Sequence, residues 1–280
     1  MFVSSKELVN KAMEGQYAVP AFNAENLEMI QAIIQAAEEE NSPIIIQTTP
    51  PTVKYLSADM AYAMVYTMAK KSKVPIALHL DHCAVFGEVM QAIKAGYSSV
   101  MIDGSKLPFD ENIAISKKVC EIAQSMGVTV EAELGTVGGK EDNVITNNAI
   151  YTDPEQAKEF VEKTKIDMLA VAIGTSHGFY KGEPKLDFER IKEIKNIVNI
   201  PLVLHGGSGV PDESVKKAIS LGIAKVNFAT ELRAAATKGV RRVLEDKDVI
   251  DPKKYMGEAR VEIIKLCKEK IKMCGSKNKI

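Results

Sequence analysis

Residues 76–82 read IALHLDH, an apolar run interrupted by one histidine and closed by an aspartate and a second histidine. A short apolar run of this kind fits a strand buried on both faces, as in a parallel sheet covered by helices. Two other stretches repeat the pattern. Met168–Gly174 (MLAVAIG) leads through Thr175 and Ser176 to His177, and Leu202–Gly207 (LVLHGG) carries His205. Neutral imidazole is the commonest side-chain ligand for zinc, and three histidines with a vacant fourth position suit a catalytic rather than a closed structural site. A lone histidine near a strand end is usually a satisfied polar group. His82, His177 and His205, at the same end of three strands, point together to a metal.

Outward from these runs, similar segments recur at Ala18–Asn23, Ile44–Thr49, Ser99–Gly104, Val128–Gly135 and Lys225–Thr230. Together they make eight strands separated by amphipathic helical stretches, the signature of βαβ units. Eight is the number that closes a (β/α)8 barrel, so the expected fold is an α/β TIM barrel with extra C-terminal helices. The helix expected over Asn26–Glu40 carries Leu27, Ile30, Ile33, Ile34 and Ala37 on one face, and Asn41-Ser42-Pro43 ends it. Asp153-Pro154 and Pro211-Asp212-Glu213 each read as a helix start. No linker or low-complexity stretch divides the chain, so residues 1–280 are expected to form a single domain.

Composition narrows the function. Thirty-six basic against thirty-seven acidic residues leave a net charge of -1, which gives no electrostatic footprint for nucleic acid. No run of about 18 apolar residues suggests a membrane span, and the first residues lack a basic-then-apolar signal, so a cytoplasmic location is expected. The four cysteines show no CxxC spacing and read as reduced thiols. Cys83, next to His82, is the one that could approach a metal, although an extended backbone would point it the other way.

The strand ends carry the polar chemistry, which at the C-terminal rim of a barrel marks an active site. Asn23, Thr49, Asp81, Asp103 and Glu133 all fall there. Asp81 precedes His82, and alternation turns its carboxylate away from that imidazole, toward substrate rather than metal. Asp103 and Glu133 are hard oxygen donors for a second or alternative cation position; capping or ion pairing is the competing role. Glu131 lies on the same face as Glu133 but deeper, where a structural role suffices. Gly206-Gly207-Ser208 and Asn227–Thr230 end strands seven and eight, the usual phosphate-binding pair of loops in barrels. Gly138-Gly139-Lys140-Glu141-Asp142 leads into a long segment suited to closing over substrate, or to no chemical role at all.

The segments VPAFN, LHLDH, SVMIDGS, VEAELGTVGG, AIGTSHG, LVLHGGSG and KVNFATEL, in order over about residues 17–233, resemble the class II, metal-dependent ketose-bisphosphate aldolases. The resemblance implies catalytic zinc on His82, His177 and His205, with Asp81 as general acid/base. It implies ligands of a second or alternative metal position at Asp103 and Glu133, and places Glu141 where the family's mobile loop carries a base. Some relatives have an acidic pair where this chain has Lys140-Glu141. Gly178, Gly206, Gly207, Ser208, Asn227, Ala229 and Thr230 match the segments that hold dihydroxyacetone phosphate, and Asn23 and Thr49 join the substrate set. Arg260 resembles the arginine that a neighbouring subunit lends, which implies a homodimer or homotetramer.

On this resemblance the substrates are fructose 1,6-bisphosphate or tagatose 1,6-bisphosphate, cleaved reversibly to triose phosphates. Zinc, a second divalent ion and a monovalent cation, Na+ or K+, are the expected cofactors. No lysine stands at the end of strand six, which disfavours an imine-forming aldolase. A zinc-dependent barrel hydrolase would usually want an HxH pair on the first strand, and Val19–Asn23 has no histidine. A non-catalytic sugar-phosphate-binding protein is the remaining alternative.

Overall fold

The structure is a computed structural model that describes every residue except 142, 143, 147, 148 and 181; residues 141 and 144–146 are described in backbone only. Eight parallel strands close a barrel: β1 (Val19–Asn23), β2 (Ile44–Thr48), β3 (Ile76–Cys83), β4 (Ser99–Ile102), β5 (Thr129–Leu134), β8 (Met168–Val171), β10 (Leu202–Leu204) and β11 (Ile223–Phe228). Each pairs with its neighbour in chain order, and β11 returns to β1 with Val19 opposite Lys225. All eight expected strands are present. Among the described residues, three short strands lie outside the barrel: β6 (Gly138–Glu141), β7 (Val144–Thr146) and β9 (Ser176–His177), with β6 central.

That second sheet corrects two expectations. The segment after strand five, expected as a loop, forms an antiparallel β6–β7 hairpin that also pairs in parallel with β9. His177 does not close strand six; β8 ends at Val171, and His177 is carried on β9. Thr49 likewise falls just past β2, at the N-cap of the helix Pro50–Leu56.

The helices follow the capping logic of the sequence. Asn26 caps Leu27–Glu40 by accepting from the Met29 amide, and Asp153 caps Pro154–Thr164 by accepting from Gln156. The apolar faces of the outer helices pack on the barrel exterior in one continuous core. A second, smaller core fills the lower barrel, where Val19, Ala21, Ile45, Ala77, Met168 and Ala170 meet Leu8, Val9 and Ala12 of the plugging helix Ser5–Glu14. Period-two alternation then hands the upper barrel to polar residues: Gln47, His79, Asp81, Glu131, His205, Lys225 and Asn227 are all buried. The C-terminal helices Thr230–Val243 and Pro252–Met273 cover one flank, as expected. Among the described residues, no helix is long and apolar enough to cross a membrane.

Candidate metal centre and active site

His82, His177 and His205 converge at the C-terminal rim. The His82 ring centroid lies 4.8 Å from that of His177 and 4.4 Å from that of His205, and the last two are 6.0 Å apart. One ring nitrogen from each lies within 4.8 Å of the others. Carboxylates hold two of the rings by their other nitrogen. His205 Nε2 donates to Glu131 Oε1 at 2.8 Å, and His82 Nδ1 donates to Asp103 Oδ2 at 3.0 Å. This leaves His205 Nδ1 facing the cluster; it is buried and makes no hydrogen bond among the described residues, although Glu133 Oε2 lies 3.2 Å away. A buried, unbonded ring nitrogen among three imidazoles, two of them braced by carboxylates, fits a divalent ion such as zinc. Burial and the nearby His82 would lower the pKa of His205, but the hydrogen bond to Glu131 and the negative charge of the neighbouring carboxylates outweigh them and push it up to about 9.

The backbone bends to make this possible. His82 adopts a left-handed φ of 48°, and the β3–β4 register shifts between Leu80 and Cys83. Such strain in a non-glycine residue costs about 1–3 kcal/mol and tends to occur at functional sites. The bend, rather than simple alternation, is what separates His82 from Asp81. His177 is fixed from two sides by close backbone approach. A Cβ on Gly139 would stand 2.2 Å from His177 O, and one on Gly206 would stand 2.4 Å from Ser176 O. Both glycines also have positive φ.

Asp81, one residue before His82, is fully buried. Gln47 Nε2 donates to its Oδ2 at 2.9 Å, Asn227 Nδ2 donates to its Oδ1 at 3.2 Å, and Gln47 also donates to Asn23 Oδ1 at 2.7 Å. Asn23 and Asn227, expected to touch substrate, also belong to the hydrogen-bond network around Asp81. Glu131, given a structural role from sequence, is the carboxylate that orients His205. Burial would raise its pKa, but Lys225 and the bond to His205 reverse this and hold it well below the usual carboxylate range. Asp103 is also held low: burial opposes ionisation, but the His82 bond and the Ser105 amide prevail. His82, Asp103 and Glu133 form a second set of donor atoms close enough to share an ion.

Two cavities flank the imidazoles. One, of about 410 Å3, is walled by Thr49, Pro50, Val85, Leu107 and Val137, with His82, Asp103, Glu133 and His177 at its base. The other is a narrow cleft of about 20 Å3 that gathers Asn23, Gly178, Gly206, Ser208, Asn227, Ala229 and Thr230, most of the expected phosphate set. Ser208 Oγ accepts there from the Ala229 amide at 3.3 Å, beside the N-terminus of the helix Thr230–Val243, where an anion is favoured. Arg233, one turn into that helix and ion-paired with Glu25, also lines the cleft and was missed by sequence reasoning. Arg260 lines neither cavity. It lies on the outer helix Pro252–Met273 and donates to Gln35 Oε1 at 3.4 Å. The Glu141 side chain lies outside the described residues. Cys83 is buried toward Val85 O and Glu88, with burial pushing its thiol up to about 12, so it faces away from the imidazoles.

A barrel with three imidazoles converging at its rim beside a cleft at a helix N-terminus has the features of an enzyme that binds a metal and an anionic substrate. The chain belongs to the family described as "Fructose-bisphosphate aldolase class-II", which matches residues 3–279. It is 48% identical over 287 aligned residues to the fructose-bisphosphate aldolase of Staphylococcus aureus, covering 99% of this chain and 98% of that protein. It is 49% identical to the probable fructose-bisphosphate aldolase of Bacillus subtilis, at the same coverage. The crystal structure of the YdjI aldolase from Escherichia coli K12 superposes with a TM-score of 0.90 at 40% identity, covering 100% of this chain and 99% of that one. The chain is therefore an aldehyde-lyase of the class II, metal-dependent type; the hydrolase and the non-catalytic alternatives fall away.

Proposed function

We propose that this protein cleaves fructose 1,6-bisphosphate reversibly to dihydroxyacetone phosphate and glyceraldehyde 3-phosphate, with zinc held by His82, His177 and His205. The observation that carries the reading is the convergence of the three imidazoles at the end of a barrel whose Asp81, one residue before His82, is buried and held by Gln47 and Asn227. The choice of ketose is supported by the names of the relatives at 48% and 49% identity. When bound, zinc supplies a Lewis acid that stabilises negative charge on the substrate oxygens as the carbon–carbon bond breaks.

The remaining chemistry belongs to the protein. Asp81 takes the proton from the C4 hydroxyl during cleavage and returns it to the aldehyde oxygen during condensation. Gln47 and Asn227 fix its carboxylate so that little reorganisation accompanies transfer. Glu141 delivers the proton that the dihydroxyacetone phosphate carbon gains. The cleft around Gly178, Gly206, Ser208, Ala229 and Thr230 holds the phosphate of that half, with Gly207 in the backbone turn between two of these residues, and Arg233 adds a positive charge. The larger cavity, with Thr49 in its wall, takes the aldehyde half. Asp103 and Glu133 hold a second divalent ion or a resting position of the first, and Na+ or K+ assists at the phosphate. Residues 1–280 act as one barrel domain in a cytoplasmic homodimer or homotetramer, with Arg260 reaching a neighbouring copy.

A coupled assay of triose phosphate release tests this, run on fructose and tagatose 1,6-bisphosphate separately. Chelator-sensitive cleavage, restored by zinc and with the higher kcat/KM on the fructose sugar, is expected. A higher kcat/KM on the tagatose sugar would reassign the substrate. Full activity after complete metal removal would contradict the metal reading.

A further inference from the structure

Lys225 is a lysine with no solvent exposure, sited inside the barrel on β11. Its Nζ lies 2.7 Å from Glu131 Oε2, while the other oxygen of that carboxylate accepts from His205 Nε2 at 2.8 Å. His79 Nε2 stands 3.5 Å from Glu131 Oε2 and 3.8 Å from Asp81 Oδ1, with Nδ1 fixed by Ser99 Oγ at 2.7 Å. His79, Asp81 and Glu131 therefore bring donor atoms close enough to hold a metal ion, and all three are buried. The lysine ammonium already stands against this set as a covalently attached cation.

Stability alone is a poor reason for such an arrangement. Burying two charges costs several kcal/mol of solvation, and well-packed apolar replacements of buried pairs are often neutral or stabilising. The neighbouring barrel positions are apolar, with Met168 opposite Glu131 and Val203 opposite Lys225, so this position could have been apolar too. A carboxylate on Glu131 is needed, however, if His205 is to keep its Nε2 proton and present Nδ1 to a metal. Orienting partners of metal-bound imidazoles are typically worth 10–100-fold in affinity.

We propose that Lys225 is a positioning residue for the metal centre: through the chain Lys225–Glu131–His205 it anchors the carboxylate that sets which nitrogen of His205 faces the ion. It touches neither substrate nor metal, and acts only through Glu131. The proposal rests on the metal reading above.

The test is a double-mutant cycle on metal-stripped full-length protein: wild type, Lys225→Met, Glu131→Gln and the double variant. Zinc affinity is measured by competition with a chromophoric chelator, the visible absorption of the cobalt(II)-loaded forms reports ligand geometry, and circular dichroism reports folding. Each single substitution should weaken zinc binding roughly 10–100-fold and alter the cobalt spectrum. The double variant should bind no more weakly than Glu131→Gln alone, because the lysine has nothing left to act through. A folded Lys225→Met protein with affinity within twofold of wild type and an unchanged cobalt spectrum would overturn the proposal, as would multiplicative losses in the double variant. If Lys225→Met does not fold, Lys225→Gln, which keeps a hydrogen-bond donor but removes the charge, takes its place in the cycle on the same criterion. Wild-type protein that binds no zinc would remove the metal reading and this inference together, whereas zinc binding indifferent to Lys225 removes this inference alone.

Discussion

Asp103 Oδ2 accepts a hydrogen bond from His82 Nδ1 at 3.0 Å, joining the ends of β3 and β4 across a register break. The bond leaves His82 Nε2 as the nitrogen available to the cluster, so the carboxylate acts on the metal through the ring. Replacing Asp103 by Asn substitutes a weaker acceptor of similar shape. Zinc affinity should fall about 10–100-fold, with a parallel loss of activity at limiting zinc that excess zinc partly restores. Unchanged zinc affinity by chelator competition would show that the bond does not orient His82.

Asp81 is held by Gln47 and Asn227 but is not among the atoms that converge on the three-imidazole position. Asp81→Asn keeps size and most packing while removing the proton acceptor. The expected outcome is a fall in kcat of about 100–10,000-fold, with zinc content unchanged. Steady-state kinetics beside metal analysis checks it, and loss of zinc from the variant would place Asp81 with the ligands instead.

Gly139 supports His177 by having no side chain. A methyl group there would meet His177 O, and the φ of 98° adds left-handed strain of roughly 1–2 kcal/mol. Gly139→Ala should lower Tm modestly and weaken zinc binding at least tenfold by displacing β9. A Tm and zinc affinity equal to those of wild type would argue that His177 is positioned by something else.

Burial, assisted by the Lys225 ammonium and opposed by Glu131, holds the His79 imidazole well below its ordinary pKa of 6.5. The folded protein therefore binds that proton less readily than the unfolded chain. The associated stability is complete above about pH 6.5 and is lost as pH falls below it. His82, His205 and Asp81 also face this ring, so the informative quantity is a difference between proteins. Thermal melts of metal-free wild type and His79→Asn from pH 7 to pH 5 should show the steeper decline in wild type. Parallel curves would mean that His79 titrates normally.

The barrel was legible because each strand is a short apolar run ending in polar residues, and Asn26 and Asp153 mark helix starts by local capping. The three histidines were legible for the same reason. The placement of His177 was not: it depends on β6 and β9 pairing across the rim, which two glycines permit but do not announce. Nor was the link from Glu131 to Lys225, residues on opposite walls of the barrel whose meeting depends on strand stagger. Glu131 and Glu133 were visible as a same-face pair, but which of them braces His205 Nε2 is set by depth in the barrel. Arg233 escaped because it sits in an ordinary amphipathic helix, one turn beyond the segment that carries the phosphate signal.

The most direct test of the metal centre is an anomalous difference map at the zinc absorption edge, from crystals of the zinc-loaded protein. The expected result is a strong peak within bonding distance of all three imidazoles, with His205 ligating through Nδ1 while its Nε2 remains on Glu131. A map with no peak there, or a zinc ion bound without His205, would contradict the three-histidine centre on which the proposed reaction depends.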